Sequence, residues 1–370
     1  MSAPGPPLAL LAELTHRCPL GCPYCSNPLA LERVAGELDT AAWQRVIGEA
    51  AALGALQIHF SGGEPMVRTD LATLVAHAHA AGLYTNLITS AVLLDQQRLA
   101  PLKAAGLDHV QISLQDTDPD NADRIAGYPG GHRKKLDAAR LVRGAGLALT
   151  INAVMHRQNL GHLPDMIELA LELGAGRLEI AQVQYYGWAL HNRPSLIPTR
   201  DEVRTAVAVV AAARERLKGR LVIDHVVPDY YAQRPKACMG GWARQFMNVT
   251  PSGLVLPCHA AQAIPTLRFE SVREWSLAEI WELSDAFERF RGTAWMAEPC
   301  RSCDRREIDF GGCRCQAMAL LGDAASTDPA CALSSHHAQL LALAVAESAA
   351  EPPAFVYRRY ANAPRERAPA

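Results

Sequence analysis

Six short runs rich in β-branched and apolar residues, "LALLAELT", "QIHFSGGEP", "YTNLITS", "HVQISLQ", "LALTINAVM" and "RLEIAQVQYY", each lead into an amphipathic stretch. The runs have strand length and the stretches between them have helical periodicity, so the first half of the chain is a βα repeat of six units. Segments such as "TAAWQRVIGEAAALGA" and "PDMIELALELGA" open on Thr or Pro-Asp and close at Gly, which is helix punctuation. Consecutive βα units pair in parallel, and sites on such sheets collect at the carboxyl ends of the strands. The expected class is α/β, with a helix "TRDEVRTAVAVVAAARERLKG" and a strand "LVIDHVV" closing a first domain over residues 1–228. From Asp229 the rhythm is lost: strands shorten, Gly and Pro recur, and cysteines return. Residues 229–350 are expected to form a compact domain held together by metal rather than by a large apolar core. The Pro- and Arg-rich residues 351–370 read as a mobile tail.

An apolar fraction of 49% over 370 residues is enough for a sizeable core. A formal charge of -2, with both signs interspersed, offers no basic field to a nucleic acid. The start "MSAPGPPLALLAELTHRC" lacks a basic leader, and no apolar run approaches the ~18 residues that cross a bilayer, so a cytoplasmic location without a membrane partner is expected. Ten cysteines in a reducing compartment point to metal or redox chemistry rather than to disulfides.

Three of them, Cys18, Cys22 and Cys25, stand at C-x3-C-x2-C directly after the first strand. Three thiolates can hold three irons of a four-iron cluster and leave the fourth open to a substrate. A zinc site completed by His16 is the alternative. One βα unit on, "FSGGEP" places Gly62 and Gly63, which allow close backbone approach, beside Glu64, which can accept from an ammonium group. Further polar groups, Ser113, Gln115, Arg124, Asn152 and Gln182, lie at or just beyond other strand ends.

This arrangement resembles the radical S-adenosylmethionine (SAM) superfamily. The resemblance implies a 4Fe-4S cluster on Cys18, Cys22 and Cys25 that chelates SAM and cleaves it to a 5'-deoxyadenosyl radical, with Gly62, Gly63 and Glu64 at the SAM amino group. It also makes Ser113, Arg124 and Asn152 candidates for the ribose and carboxylate, although each is equally readable as a capping or structural residue.

In the second group Cys238 and Cys258 flank a predicted hairpin, "FMNVT" and "LVLPC" about a Pro-Ser-Gly turn. Cys300, Cys303, Asp309, Cys313, Cys315 and Cys331 follow. The spacing resembles the SPASM auxiliary-cluster domain, with Asp309 where a cysteine is usual. Together with "ELTHRCPLGCPYCSNP", "VQYYGWAL", "KACMGGW" and "GGCRC", this resembles the PqqE family of pyrroloquinoline quinone (PQQ) biosynthesis over about residues 7 to 340. The fold implied is a partial (β/α)6 TIM-like radical SAM barrel followed by a small cysteine-rich SPASM domain. The ligand sets implied are Cys238, Cys258, Cys313 and Cys315 for one auxiliary iron-sulfur cluster, and Cys300, Cys303, Asp309 and Cys331 for the other, each 4Fe-4S or 2Fe-2S. The activity implied is a carbon-carbon crosslink between a glutamate γ-carbon and a tyrosine ring carbon of the peptide PqqA. A chaperone, PqqD, and an electron donor such as flavodoxin would be the partners. Other readings stay open at this point: a thioether-forming or sulfatase-activating maturase, a zinc-stabilised scaffold, Asp309 as a turn cap beside Gly311, and Cys331 as a free buried thiol. Tyr185, Tyr186 and Trp188 would line a peptide channel or pack between the two halves.

Overall fold

The computed structural model describes residues 5–227 and 229–360. Among them nine strands form one sheet: β1 (Ala9–Glu13), β2 (Gln57–Ser61), β3 (Tyr84–Thr89), β4 (His109–Leu114), β5 (Ala148–Met155), β6 (Arg177–Gln182), β7 (Val222–Val226), β8 (Phe246–Val249) and β9 (Val255–Leu256). The order across the sheet is β7-β6-β5-β4-β3-β2-β1-β8-β9, so it curls without closing on itself. Strands β1 to β7 are parallel throughout, β8 joins β1 in parallel, and β9 returns antiparallel to β8. The expected partial barrel is present, and the expected hairpin is β8–β9.

The strands alternate in burial, as a period of two requires. Ile58, Phe60, Val110, Ile112, Ile151, Leu178 and Ile180 join one core with apolar residues of the helices Thr40–Ala52, Leu71–Ala80, Gly131–Gly144 and Leu163–Glu172. Asp39 caps the first of these through the Ala42 amide at 2.8 Å, which supplies one of the acceptors a helix start lacks. The opposite strand face is polar and internally paired: Asn86 with His59 at 2.9 Å, His109 with Thr150 at 2.8 Å, and Gln111 with Glu179 at 3.1 Å.

Burial, reinforced by His109, pushes the pKa of His59 down to about 4. Its folded pKa thus lies below the unfolded value near 6.5, and the unfolded chain takes up the proton first as pH falls. Stability is therefore lost on acidification from pH 6.5 towards 4, with a slope of up to about 1.4 kcal/mol per pH unit from this group. His59→Gln is expected to flatten the dependence of the urea midpoint on pH by one proton; an unchanged slope would contradict the assignment.

The second half differs from expectation in one respect. Trp242, Met247, Val255, Trp281 and Phe287 belong to the same apolar core as Leu10 and Trp43 of the first half. Trp281 Nε1 donates to the Gly5 carbonyl at 3.0 Å, and Trp242 Nε1 to that of Ala286 at 2.9 Å. Each large side chain so buried contributes about 2 kcal/mol. The region beyond Asp229 is held by apolar contact with the barrel as well as by whatever its cysteines bind.

The tail expectation is corrected for residues 351–360. Val356 N donates to Asn192 Oδ1 at 2.7 Å, and its carbonyl accepts from Asn192 Nδ2 at 2.8 Å. Tyr357 Oη donates to the Arg124 carbonyl at 2.8 Å, Arg358 N to that of Gly21 at 2.9 Å, and Tyr360 Oη to that of Glu32 at 3.0 Å. Arg and Pro content suggested a loose end, but the segment's hydrogen bonds are satisfied by the barrel. Residues 361–370 lie outside the described residues. Among the described residues no helix is long and apolar enough to cross a membrane.

Candidate functional site

Beyond β1 and β2 the two chains stay zipped: Leu14 N donates to Ser61 O at 2.9 Å, Gly63 N to Thr15 O at 2.6 Å, and Glu64 N to Arg17 O at 2.7 Å. The "GGEP" loop is thereby laid on the chain leading into Cys18. A Cβ on Gly62, whose φ is +130°, would stand 2.3 Å from the Thr15 carbonyl oxygen, and one on Gly63 would stand 2.4 Å from that of Arg17. Both glycines are required by this loop-on-loop approach, where the sequence suggested approach to a ligand.

Glu64 is fully buried and its carboxylate is engaged inside the protein. It accepts from Met66 N at 3.1 Å, Thr89 Oγ1 at 2.7 Å, Ser90 N at 2.8 Å, and Ser90 Oγ. Four donors fill the acceptor capacity of a carboxylate. This corrects the reading of Glu64 as a free acceptor for an ammonium group: its side chain anchors the loop.

Cys18, Cys22 and Cys25 are half-buried thiols in this loop. Burial drives Cys18 and Cys25 above the ordinary thiol range and Cys22 up to about 11. Thiolates here therefore need a cationic partner, as metal ligation provides. Beside them Lys135, on the helix Gly131–Gly144, is buried and donates to the Ser113 carbonyl at 3.0 Å and to Gln115 Oε1. Desolvation lowers its pKa to about 8. Ser113 and Asn152 are register partners on β4 and β5 and so share a face. Asn152 Oδ1, both amide atoms of Gln182, and Tyr24 Oη are buried without a partner among the described residues. Buried polar atoms left unmatched cost about 1–3 kcal/mol each, so their presence fits a polar ligand such as SAM between these strand ends and the cysteine loop. Arg124 is not part of this buried group. It is exposed, tied to Asn121 Oδ1 at 2.6 Å and Gln158 Oε1 at 2.7 Å, and lies 4.9 Å from the Phe355 ring.

In the second group the hairpin places Cys238 and Cys258 opposite Cys313 and Cys315, at the start of the helix Arg314–Leu321. Their sulfurs form one mutually interacting ring, 238 beside 258 and 313, and 315 beside 258 and 313. Interaction with these neighbouring sulfurs draws Cys258 and Cys313 below the usual thiol range and pushes Cys238 and Cys315 above it. Cys300, Cys303, Asp309 and Cys331 line a single separate cavity, with Asp328 at its wall. Among the described residues no three His, Cys, Asp or Glu side chains are placed for a single metal ion. A polynuclear cluster spreads its ligands over two or four metal atoms, so a set of four fits it without converging on one point.

Asp309 is buried; its Oδ1 accepts from Gly311 N at 3.1 Å, and Oδ2 lies 3.6 Å from Arg305 Nε. The turn-capping bond is therefore real, and the carboxylate still faces the cavity. The sequence reading missed Asp328. Its Oδ2 accepts from Cys313 N at 2.7 Å, and its Oδ1 from Ala330 N at 2.9 Å and Gln316 Nε2 at 2.8 Å. It joins the cavity to the sulfur ring, and nothing local in "STDPAC" signals that. Lys135 was legible in principle as a lysine on an apolar helix stripe.

Tyr185 packs on Tyr230 with ring centroids 4.8 Å apart, and Trp188 Nε1 donates to the Pro28 carbonyl at 3.2 Å. Tyr186 Oη is hydrogen-bonded to His259 Nε2, next to Cys258, so this tyrosine joins the two halves.

Family models match in both halves: the radical SAM superfamily over residues 12–170, and SPASM, an iron-sulfur cluster-binding domain, over residues 238–304. A PqqA peptide cyclase of Rhodopseudomonas palustris is 63% identical over 97% of this chain and 95% of its own length. One of Granulibacter bethesdensis is 61% identical over 98% of this chain and 97% of its own length. Streptococcus suis SuiB bound to S-adenosylmethionine shares the fold, with a TM-score of 0.75 at 19% identity over 88% of this chain and 77% of SuiB. The same fold match holds for SuiB bound to its precursor peptide SuiA, with a TM-score of 0.72 at 19% identity over 88% of this chain and 76% of SuiB. A radical SAM barrel, a SPASM domain and full-length identity of this order place the chain in one family, and it belongs to the PqqA peptide cyclases, which are radical SAM enzymes.

Proposed function

We propose that this chain joins the γ-carbon of a glutamate to a ring carbon of a tyrosine within PqqA. Cys18, Cys22 and Cys25 would hold a 4Fe-4S cluster, and SAM would lie against the backbone at Gly62 and Gly63 with Ser113 and Asn152 beside it. Glu64 would act by holding that loop, and Arg124 from the rim. Cys238, Cys258, Cys313 and Cys315 would hold one auxiliary iron-sulfur cluster; Cys300, Cys303, Asp309 and Cys331 would hold the other. When bound and reduced, the first site supplies a 5'-deoxyadenosyl radical able to take hydrogen from an unactivated C–H bond.

The rest falls to the chain. The strand ends and the loop with residues 351–360 exclude water from the reacting atoms. Bond formation to the phenol ring leaves one electron and one proton to be removed as aromaticity returns. The auxiliary sites would take up that electron, and the hydrogen bond of Tyr186 to His259, beside Cys258, supports a path from the barrel to them. PqqD would present the peptide, and a flavodoxin-like donor would reduce the first site.

The observation that carries this reading is the pairing of a half-buried loop of three thiols after β1 with unpartnered buried atoms of Asn152, Gln182 and Tyr24. The test is anaerobic incubation of the reduced protein with SAM, PqqA and PqqD. The expected product has lost two hydrogens and fragments as a Glu–Tyr crosslink. A thioether product, or protein that holds zinc and no iron, would overturn the proposal.

A further inference from the structure

Arg358 is 4% exposed, among the most deeply buried cations of the chain. Residues 353–360 carry it there. Pro353 O accepts from Ser195 Oγ at 2.7 Å, Asn192 holds both backbone groups of Val356, and Arg358 N reaches Gly21 O at 2.9 Å, on the residue just before Cys22. The guanidinium then donates through Nη2 to the His16 carbonyl and to Asn27 Oδ1 at 3.3 Å. Asn27 itself accepts from Cys25 Sγ at 3.4 Å and donates to the Gly62 carbonyl at 3.4 Å. One side chain thus meets His16 before Cys18, Asn27 two residues after Cys25, and, through Asn27, the "GGEP" loop.

A buried guanidinium is costly unless an anion matches it. Among the described residues no carboxylate lies within 4.0 Å of Arg358, and its Nε has no partner. The Asn27 Oδ1 that accepts from its Nη2 also accepts from Cys25 Sγ at 3.4 Å, so the guanidinium lies one hydrogen-bonded step from the loop whose three sulfurs would carry the cluster's negative charge.

We infer that Arg358 is a positioning residue of the first metal site: it offsets the negative charge of the three thiolates and pins the loop that carries them. This rests on the proposal that Cys18, Cys22 and Cys25 hold the first cluster. A positive charge beside a cluster favours its reduced, more negative form, so removing it lowers the potential. Arg358→Gln keeps a hydrogen-bonding side chain and discards the charge. Arg358→Lys keeps the charge and discards the fork.

The test uses full-length protein, with iron per chain, the midpoint potential of the first cluster and SAM cleavage without peptide as readouts. A Cys18→Ala/Cys22→Ala/Cys25→Ala variant defines the auxiliary signals alone. Arg358→Gln is expected to keep the auxiliary signals while its first cluster is lost or moves to a more negative potential, with SAM cleavage down on the order of tenfold. Arg358→Lys should recover most of both. Wild-type iron, potential and cleavage in Arg358→Gln overturn the inference, and so does equal impairment of the Gln and Lys variants, which would mean that shape alone matters. If Arg358→Gln loses the auxiliary signals too, and so has not folded, Arg358→Lys decides: near-wild-type potential and cleavage support the role, and impairment overturns it. If the triple cysteine variant loses no iron, the proposed function fails instead.

Discussion

Glu64→Ala is expected to cost about 3–5 kcal/mol and to release the first cysteine loop. The carboxylate is fully buried and is the acceptor for Met66 N, Thr89 Oγ1, Ser90 N and Ser90 Oγ. Alanine leaves these donors without an acceptor in a space that water reaches poorly, and an unmatched buried donor costs more than a hydrogen bond contributes net. The loop they steady also carries Gly63 and Glu64, whose amides bond Thr15 and Arg17 on the way to Cys18. Urea unfolding should show the loss directly, and SAM cleavage should fall with it. Glu64→Gln, which keeps the shape and one acceptor oxygen, should be intermediate. Full stability and full cleavage in Glu64→Ala would show that the loop is held by its backbone alone.

Asp309→Ala should lose the iron of its own site while the ring of four sulfurs keeps its metal, and crosslinking should fall at least about tenfold. Asp309→Cys is the sharper variant. A carboxylate is a harder, less electron-donating ligand than a thiolate, so exchanging it should retain the iron and move that cluster to a more negative potential. The variant also loses the acceptor of Gly311 N, and Asp309→Asn, which retains one, controls for that. Redox titration of the auxiliary clusters reads the shift. An Asp309→Cys protein with unchanged potential and full crosslinking would reduce Asp309 to the turn cap that its bond to Gly311 also allows.

Much of the architecture was legible because it is written in short windows. β2 alternates Ile58 and Phe60 with His59, and its five residues are enough to recognise that. The hairpin between Cys238 and Cys258 announces itself by its Pro-Ser-Gly turn. The structure brings Cys238, Cys258, Cys313 and Cys315 together in a sulfur ring and sets Cys300, Cys303, Asp309 and Cys331 around a separate cavity.

What was misread has one physical cause. Glu64 looks like a ligand-facing residue from its own tetrapeptide. Its carboxylate is taken up by Thr89 and Ser90, far along the chain. The second half was expected to lean on metal because its own strands are short, yet β8 completes its pairing on β1 and shares the barrel core. The tail looked loose because Pro and Arg are common in loose ends.

The sequence by itself determined the βα order, the chemical class of each candidate metal ligand and the spacing that makes a three-thiol site possible, since periodicity and spacing are local properties of a chain. Only the tertiary structure decided which polar groups were already satisfied, which were left bare for a ligand, and that Arg358 would be buried 342 positions from His16, whose carbonyl it meets. Desolvation and hydrogen-bond saturation depend on what distant segments bring to one place, and no window of sequence contains that.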